Sequence, residues 1–388
     1  MSRTAKPFDP IKHYRHDLKR QVMITVWVIV AAVIVLNTVS TSILAAGMFF
    51  KPEFWNEIIG MFAQDDLTDL AMDPTAGYED IVQVTTTDGN LIGLASIASV
   101  LCTLPLFLIL RGKKLFTSDI TETRNKCKAS LMLQIFIIAM GAQLIFGMLT
   151  TGLNKLLEPL GMDSTQFYES SLELLKSPVG LIYIMLIGPV CEEIIFRGAV
   201  MRSFERFGGN FAIVMSSLFF ALYHIITVQV IFAFFMGLIL GYIAHRYSLL
   251  WAIIVHMLIN SVATLTELLL PVSGASILNI CFFAVGLILF IIFIIRGVIK
   301  EQLIRGKPLA VVLQDGAPPM IATPDIASLM VNNDIPSGGS GGSIPADTVK
   351  TYKPKVYLLA FSTVSFLLYV IVILAVGILL MFNLTALI

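Results

Sequence analysis

An all-α fold, a polytopic membrane helix bundle of about eight to nine transmembrane helices, is what this chain of 388 residues predicts. Three observations predict it. First, 57% of the residues are hydrophobic and only 13% charged, where soluble domains average about a quarter charged, so a water-soluble core is excluded. Second, apolar runs of the roughly 20 residues needed to cross about 30 Å of hydrocarbon recur along the chain. Third, the charge between the runs alternates in sign.

The first 21 residues hold six Lys/Arg against two acids, which the positive-inside rule places in the cytoplasm. The apolar run from 22 to 50 follows. Both it and the basic stretch before it are too long for a cleaved signal peptide, so it reads as a retained helix. The loop from 51 to 90 carries one Lys against nine acids and reads as outside; a solvated loop is its ordinary interpretation. A second run, 91 to 110, leads to residues 111 to 128 with six basic and two acidic residues. A third, 131 to 152, leads to residues 153 to 177 with two basic and four acidic. The leucines scattered among those charges suit a helix lying on the outer membrane surface.

Five closely strung runs come next, at 178 to 200, 210 to 227, 229 to 245, 249 to 270 and 275 to 298. Arg202, Arg206, Arg246, Arg296, Lys300, Arg305 and Lys307 continue the alternation. Residues 299 to 354 are Pro/Gly/Ser-rich and read as a cytoplasmic linker that cannot bury enough apolar surface to fold alone. A last run spans 355 to 383. The chain thus divides into an N-terminal segment (1–130) with two spans and the acidic loop, a core (131–298), the linker (299–354) and a C-terminal helix (355–388).

A net charge of zero gives no global field, so nucleic acid is not a partner; the lipid bilayer is. Cys102, Cys127, Cys191 and Cys281 fall in spans or a predicted cytoplasmic loop, so no disulfide framework is implied. Gly338-x-Ser340-x-Gly342 has the form of a nucleophile elbow, but no strand precedes it and no helix follows it. Ala233, Gly237 and Gly241 form a small-residue stripe, read as close helix packing.

The fourth span carries Gly188-Pro189-Val190-Cys191-Glu192-Glu193-Ile194-Ile195-Phe196-Arg197. Each acid at a helix centre costs about 2.5 to 3.5 kcal/mol on insertion scales, so chains keep such groups mainly where they pair or work. Glu193 and Arg197 are four apart and share a face, whereas Glu192 points about 100° away. Glu193 therefore reads as a paired structural acid and Glu192 as a free carboxylate suited to general base work. Pro189 removes a backbone donor just upstream.

The next span carries Phe220-x-x-x-His224 and the seventh His256-x-x-x-Asn260. In a hairpin turning at Gly208-Gly209, residues 192 and 224 lie 16 either side of 208 and meet at one level. A turn near 247 brings His256 and Asn260 to a depth within about two turns of them. Such a set suits a hydrolase. Glu192 and His224 would activate water, and His256 and Asn260 would donate to the oxyanion. The same residues taken singly are also ordinary interhelical hydrogen-bonding groups. His13, His16 and His245 are assigned no role.

Glu192-Glu193-x-x-x-Arg197, Phe220-x-x-x-His224 and His256-x-x-x-Asn260, in order in successive spans, resemble the Abi/CAAX (CPBP) family of intramembrane proteases, the type II CAAX prenyl endopeptidase group among them. The resemblance is concentrated in residues 185 to 262. It implies an endopeptidase in which Glu192 and His224 activate water, His256 and Asn260 take the oxyanion side, and Glu193 and Arg197 support them. The implied substrate is a peptide or membrane protein, and the setting a multi-pass protein of the cell membrane, read as a bacterial plasma membrane.

A Glu and two His can also bind zinc with three ligands and a water, the candidates being Glu192, His224 and His256. The pattern His-Glu-x-x-His is absent, and a metal-free glutamate mechanism fits the same residues, so the favoured reading has no tightly bound cofactor. Two other functions use the same groups: a non-catalytic peptide-binding or bacteriocin-immunity protein, and a proton-coupled transporter. The second is disfavoured because the polar clusters have no counterpart in the other half of the chain.

Overall fold

The computed structural model describes residues 10–52, 55, 88–157, 159, 173–224, 227–305, 356–357 and 360–381. Among the described residues, nine helices correspond to the nine apolar runs. They are α1 (Pro10–Phe49), α2 (Gly89–Arg111, closing through a 3-10 turn), α3 (Ala129–Leu157), α4 (Pro178–Phe207), α5 (Gly209–Tyr223), α6 (Thr227–Arg246), α7 (Leu249–Leu269), α8 (Val272–Arg305) and α9 (Val364–Met381). Among the described residues there is no strand, only an isolated bridge between Thr123 and Ser248.

Seven of these helices are long and apolar enough to cross a membrane, while Gly209–Tyr223 and Val364–Ile373 are shorter apolar helices. With these two, the described residues hold the eight to nine apolar helices of the expected bundle; the shorter α5 stops after 15 residues, or about 22 Å. Its run of apolar side chains continues in sequence to 227, but the helix ends at His224, whose backbone N–H bonds back to Ala221 and Leu222. In the other direction, α1 starts at Pro10, well before its apolar run. Hydropathy marks the hydrocarbon layer, and a helix need not stop where that layer does. The surface helix expected over 153 to 176 lies mostly outside the described residues.

α4 is the centre of the bundle, packed against α2, α5, α6 and α7. Phe196, Arg197, Ala199, Val200, Met201 and Phe204 on it have no exposed surface. α1 lies along α2 and α9, and α8 packs on α3. At that last crossing a Cβ on Gly141 would stand 2.7 Å from the Phe282 carbonyl oxygen, and one on Gly286 3.0 Å from that of Ile137. Small residues let the two backbones touch. Only 6% of the apolar window of α8 is buried, so this helix turns an almost wholly aliphatic surface outward, as lipid requires. Gly237 and Gly241 of α6 pack as their spacing suggests: a Cβ on them would lie 2.9 Å from Ser217 and 3.1 Å from Ile213 of α5.

The turn between α4 and α5 uses Gly208 at φ +130°, a backbone angle that L side chains rarely adopt. Around this end of the bundle a charged clamp closes. Arg124, from the α2–α3 connection, makes a bidentate pair with Glu205 at 2.8 and 2.6 Å. Its backbone N–H bonds the Tyr247 carbonyl at 2.8 Å. Arg202 pairs with Glu122 at 2.8 Å and reaches Glu205 at 3.5 Å, and His245 Nδ1 lies 2.9 Å from Glu205. His245, given no role from sequence, is thus part of the clamp. Arg202 is 4% exposed, so its charge depends on these partners. Glu205→Ala should lower stability by about 2 to 4 kcal/mol, seen as a reduced thermal midpoint of the purified protein in micelles.

At the other end, Asp88 caps α2 by accepting from the backbone N–H groups of Asn90 and Leu91 at 3.1 Å each, and Lys51 stands 3.3 Å away. The Leu91 N–H holds the Asp88 carboxyl below the usual carboxylate range, with Lys51 assisting against the opposing effect of burial. A depressed folded-state pKa gives stability that is present above the ordinary pKa, about 3.9, and is lost as pH falls through the folded value. Thermal midpoints measured from pH 6 downward should therefore fall less steeply for Asp88→Asn than for the parent protein.

Candidate active site

The backbone of α4 departs from regular α-helix on both sides of the acid pair. Wide π-helical turns at Tyr183–Ile187 and Ile194–Met201 bracket the α-helical segment Gly188–Glu193. In the first of them Gly188 N–H bonds the Tyr183 carbonyl, five residues back. The next bond of that ladder would run from residue 189 to the Ile184 carbonyl, but Pro189 has no N–H. Asn260 of α7 fills the gap: its side-chain Nδ2 donates to the Ile184 oxygen at 3.2 Å. Pro189 and Asn260 are thus two halves of one arrangement.

Glu193 and Arg197 have no exposed surface, and Arg197 Nη1 donates to Glu193 Oε1 at 2.7 Å. A second guanidinium nitrogen donates to the Gly237 carbonyl of α6 at 3.3 Å. The guanidinium carbon lies 4.4 Å from the centre of the Phe220 ring of α5, a cation–π contact that carries more weight in a dry interior. His256 Nδ1 stands 2.9 Å from the same Glu193 Oε1. A carboxylate only accepts, so His256 Nδ1 carries a proton and donates it. The other ring nitrogen, Nε2, then faces Glu192 Oε2 at 3.8 Å.

His224 sits at the end of α5, where its Nδ1 donates to the Phe220 carbonyl at 2.8 Å, leaving Nε2 free. Its ring lies edge-on to Phe220 at 4.8 Å between centres, and Phe220 in turn meets His256 at 6.2 Å. The depth arithmetic holds for the hairpin: Phe196 and Phe220, each 12 residues from Gly208, have ring centres 5.2 Å apart.

The structure therefore gathers Glu192, Glu193, Arg197 and His256 into one linked set. His224 joins it through Phe220 and makes no hydrogen bond to Glu192. Asn260 joins through Ile184. The Glu193–Arg197 pair follows from their spacing. The bond from Glu193 to His256 does not, because it crosses between helices 63 residues apart. Nor do the contributions of Phe220 and the Gly237 carbonyl, although Phe220 opens one of the motifs. Among the described residues no three of His, Cys, Asp and Glu stand close enough to hold a metal ion. Glu192, His224 and His256 are not drawn together as three ligands of one ion in this arrangement.

These residues all lie within one compared segment. Residues 175–262 match the Rce1-like model, type II CAAX prenyl endopeptidase. The Rce1-like segment runs from the approach to α4 through α5 and α6 to Asn260 on α7, and α1 to α3, α8 and α9 lie outside it. The resemblance read from the motifs is borne out over that segment. It supports an intramembrane endopeptidase of CAAX type in a multi-pass membrane protein. No curated protein and no solved structure gives a significant match.

Glu193 Oε2 is buried without a partner, so the pairing rests on Oε1 alone. Arg197→Met would leave the buried Glu193 without its guanidinium partner and should cost about 3 to 5 kcal/mol. Loss of monodisperse protein on size exclusion would register it. Arg197→Lys keeps the charge but not the fork of donors that serves both Glu193 and Gly237, and should fall between the two.

Proposed function

We propose that the protein is an intramembrane endopeptidase that hydrolyses a peptide bond of a membrane-associated protein or peptide with water activated by Glu192 and His224. The observation that carries this reading is the orientation of His256. Its Nδ1 is committed to the buried Glu193–Arg197 pair, so its Nε2 is held toward Glu192. One carboxylate is neutralised and structural, and its neighbour is partly exposed and available.

In this mechanism the Glu192 carboxylate takes a proton from water while the free Nε2 of His224 orients that water. The oxygen attacks the scissile carbonyl carbon, and the electron pair of the C=O moves to oxygen. As imidazolium, His256 gives Nδ1–H to Glu193 and Nε2–H to the oxyanion; the second amide hydrogen of Asn260, beyond the one given to Ile184, adds a donor. The tetrahedral centre collapses with cleavage of the C–N bond, and protonated Glu192 passes its proton to the departing amine. Glu192 is again a carboxylate.

The charge pattern of the loops supports a cytoplasmic N-terminus, and the compact set of short loops suits a bacterial plasma membrane. The test compares peptide termini in membranes from cells expressing wild type and Glu192→Gln at equal levels of folded protein. Termini that disappear with Glu192→Gln are the expected outcome and name the substrate. Unchanged termini alongside unchanged cellular function would replace the enzyme with a peptide-binding protein.

A further inference from the structure

α9 lies outside the Rce1-like segment, yet its aromatic side chains reach α5, the helix that ends at His224. Tyr357, just before it, meets Phe211 at 5.1 Å between ring centres; Phe366 and Tyr369 meet Phe219 at 5.8 and 6.0 Å. Residue numbers rise together along both elements, so α9 and α5 run in the same direction. Tyr369 is thereby brought to the turn of α5 that precedes Tyr223 and His224.

Three hydroxyls of this region are buried and have no hydrogen-bond partner: Tyr223, Tyr369 and, one turn before Tyr369 on the same face, Ser365. Tyr369 is only 4% exposed. Buried hydroxyls almost always find partners in folded proteins. Tyr223 lies beside a catalytic candidate, and Tyr369 packs on Phe219, one turn before Tyr223 on α5. The Tyr223 ring packs edge-on to His224 at 6.4 Å and to Phe196 at 5.4 Å, and Tyr223 lies within electrostatic reach of Glu192, Tyr183 and Tyr369.

An extended peptide inside a membrane has its own unmet need, since its backbone N–H and C=O groups have neither water nor a helix to bond them. We propose that the hydroxyls of Tyr223 and Tyr369 form a subsite that hydrogen-bonds a backbone peptide group of the substrate next to the scissile bond, making α9 a substrate-binding element. A phenol can donate to a carbonyl or accept from an amide, so the subsite recognises peptide backbone rather than one side chain. This inference rests on Glu192 marking the reaction centre.

The test uses the full chain in micelles and a dye-labelled farnesylated peptide ending in Cys-Val-Ile-Met. Tyr223→Phe and Tyr369→Phe keep the rings and remove only the hydroxyls. Peptide affinity is read by fluorescence anisotropy in the Glu192→Gln background, and cleavage in the wild-type background. Each Phe variant should weaken binding about fivefold, the equivalent of one neutral hydrogen bond, with KM rising more than kcat falls. Unchanged affinity in both Phe variants overturns the subsite even if Glu192→Gln abolishes cleavage. Weakened binding without cleavage by the wild type keeps the subsite and overturns the endopeptidase. A parent chain that binds no peptide overturns both.

Discussion

Arg197 and Glu193 sit with no exposed surface in the middle of a lipid-facing bundle, where neither can exist alone. A carboxylate and a guanidinium lose several kcal/mol of hydration each on burial, and their attraction repays this only when further hydrogen bonds are supplied. Two other helices supply them, and a third adds a cation–π contact. α5 lays the Phe220 ring under the guanidinium, α6 turns the Gly237 carbonyl toward it, and α7 brings the His256 N–H to the acid. The close approach of α6 at Gly237, where a Cβ would crowd Ser217, is what lets that carbonyl reach. The ion pair thus fixes the relative positions of four helices, and the ring of His256 inherits its orientation from it.

A second constraint comes from the backbone. Pro189 removes a donor where α4 most needs to be continuous, and Asn260 returns it from another helix. The same amide that the chemistry would use on an oxyanion is therefore already engaged with one hydrogen. The effect is pre-organisation: the side chain is held in place before any substrate arrives.

Much of this was legible in the sequence because membrane burial leaves strong traces. A run of about 20 apolar residues has few meanings, and among the described residues each of the nine runs holds a helix. Acid and base four residues apart announce a pair, and the Glu193–Arg197 bond followed. Helix ends were less legible, because hydropathy does not register where α1 emerges from the lipid or where α5 stops at His224. The partner of His256 was not readable at all. Spacing within a helix gives direction, but which carboxylate a histidine on another helix will meet depends on the crossing of α4 and α7. The reading expected Glu192 to stand with His224, whereas its nearest basic partner is His256.

The two π-helical turns of α4 hold a consequence for how the stretch can vary. Each wide turn accommodates one residue more than a regular α-helical turn would, and such bulges mark functional positions in many helices. A one-residue deletion inside Tyr183–Ile187 or Ile194–Met201 could be absorbed without breaking the helix, by narrowing the turn to α. Residues on either side would keep nearly their present facing, because the wide turn is where the extra residue is taken up. A deletion in Tyr183–Ile187 would leave the written motif Glu-Glu-x-x-x-Arg letter for letter and its acids still facing α7. In this segment the width of the helical turns, and not the count of letters alone, sets which way the acids face.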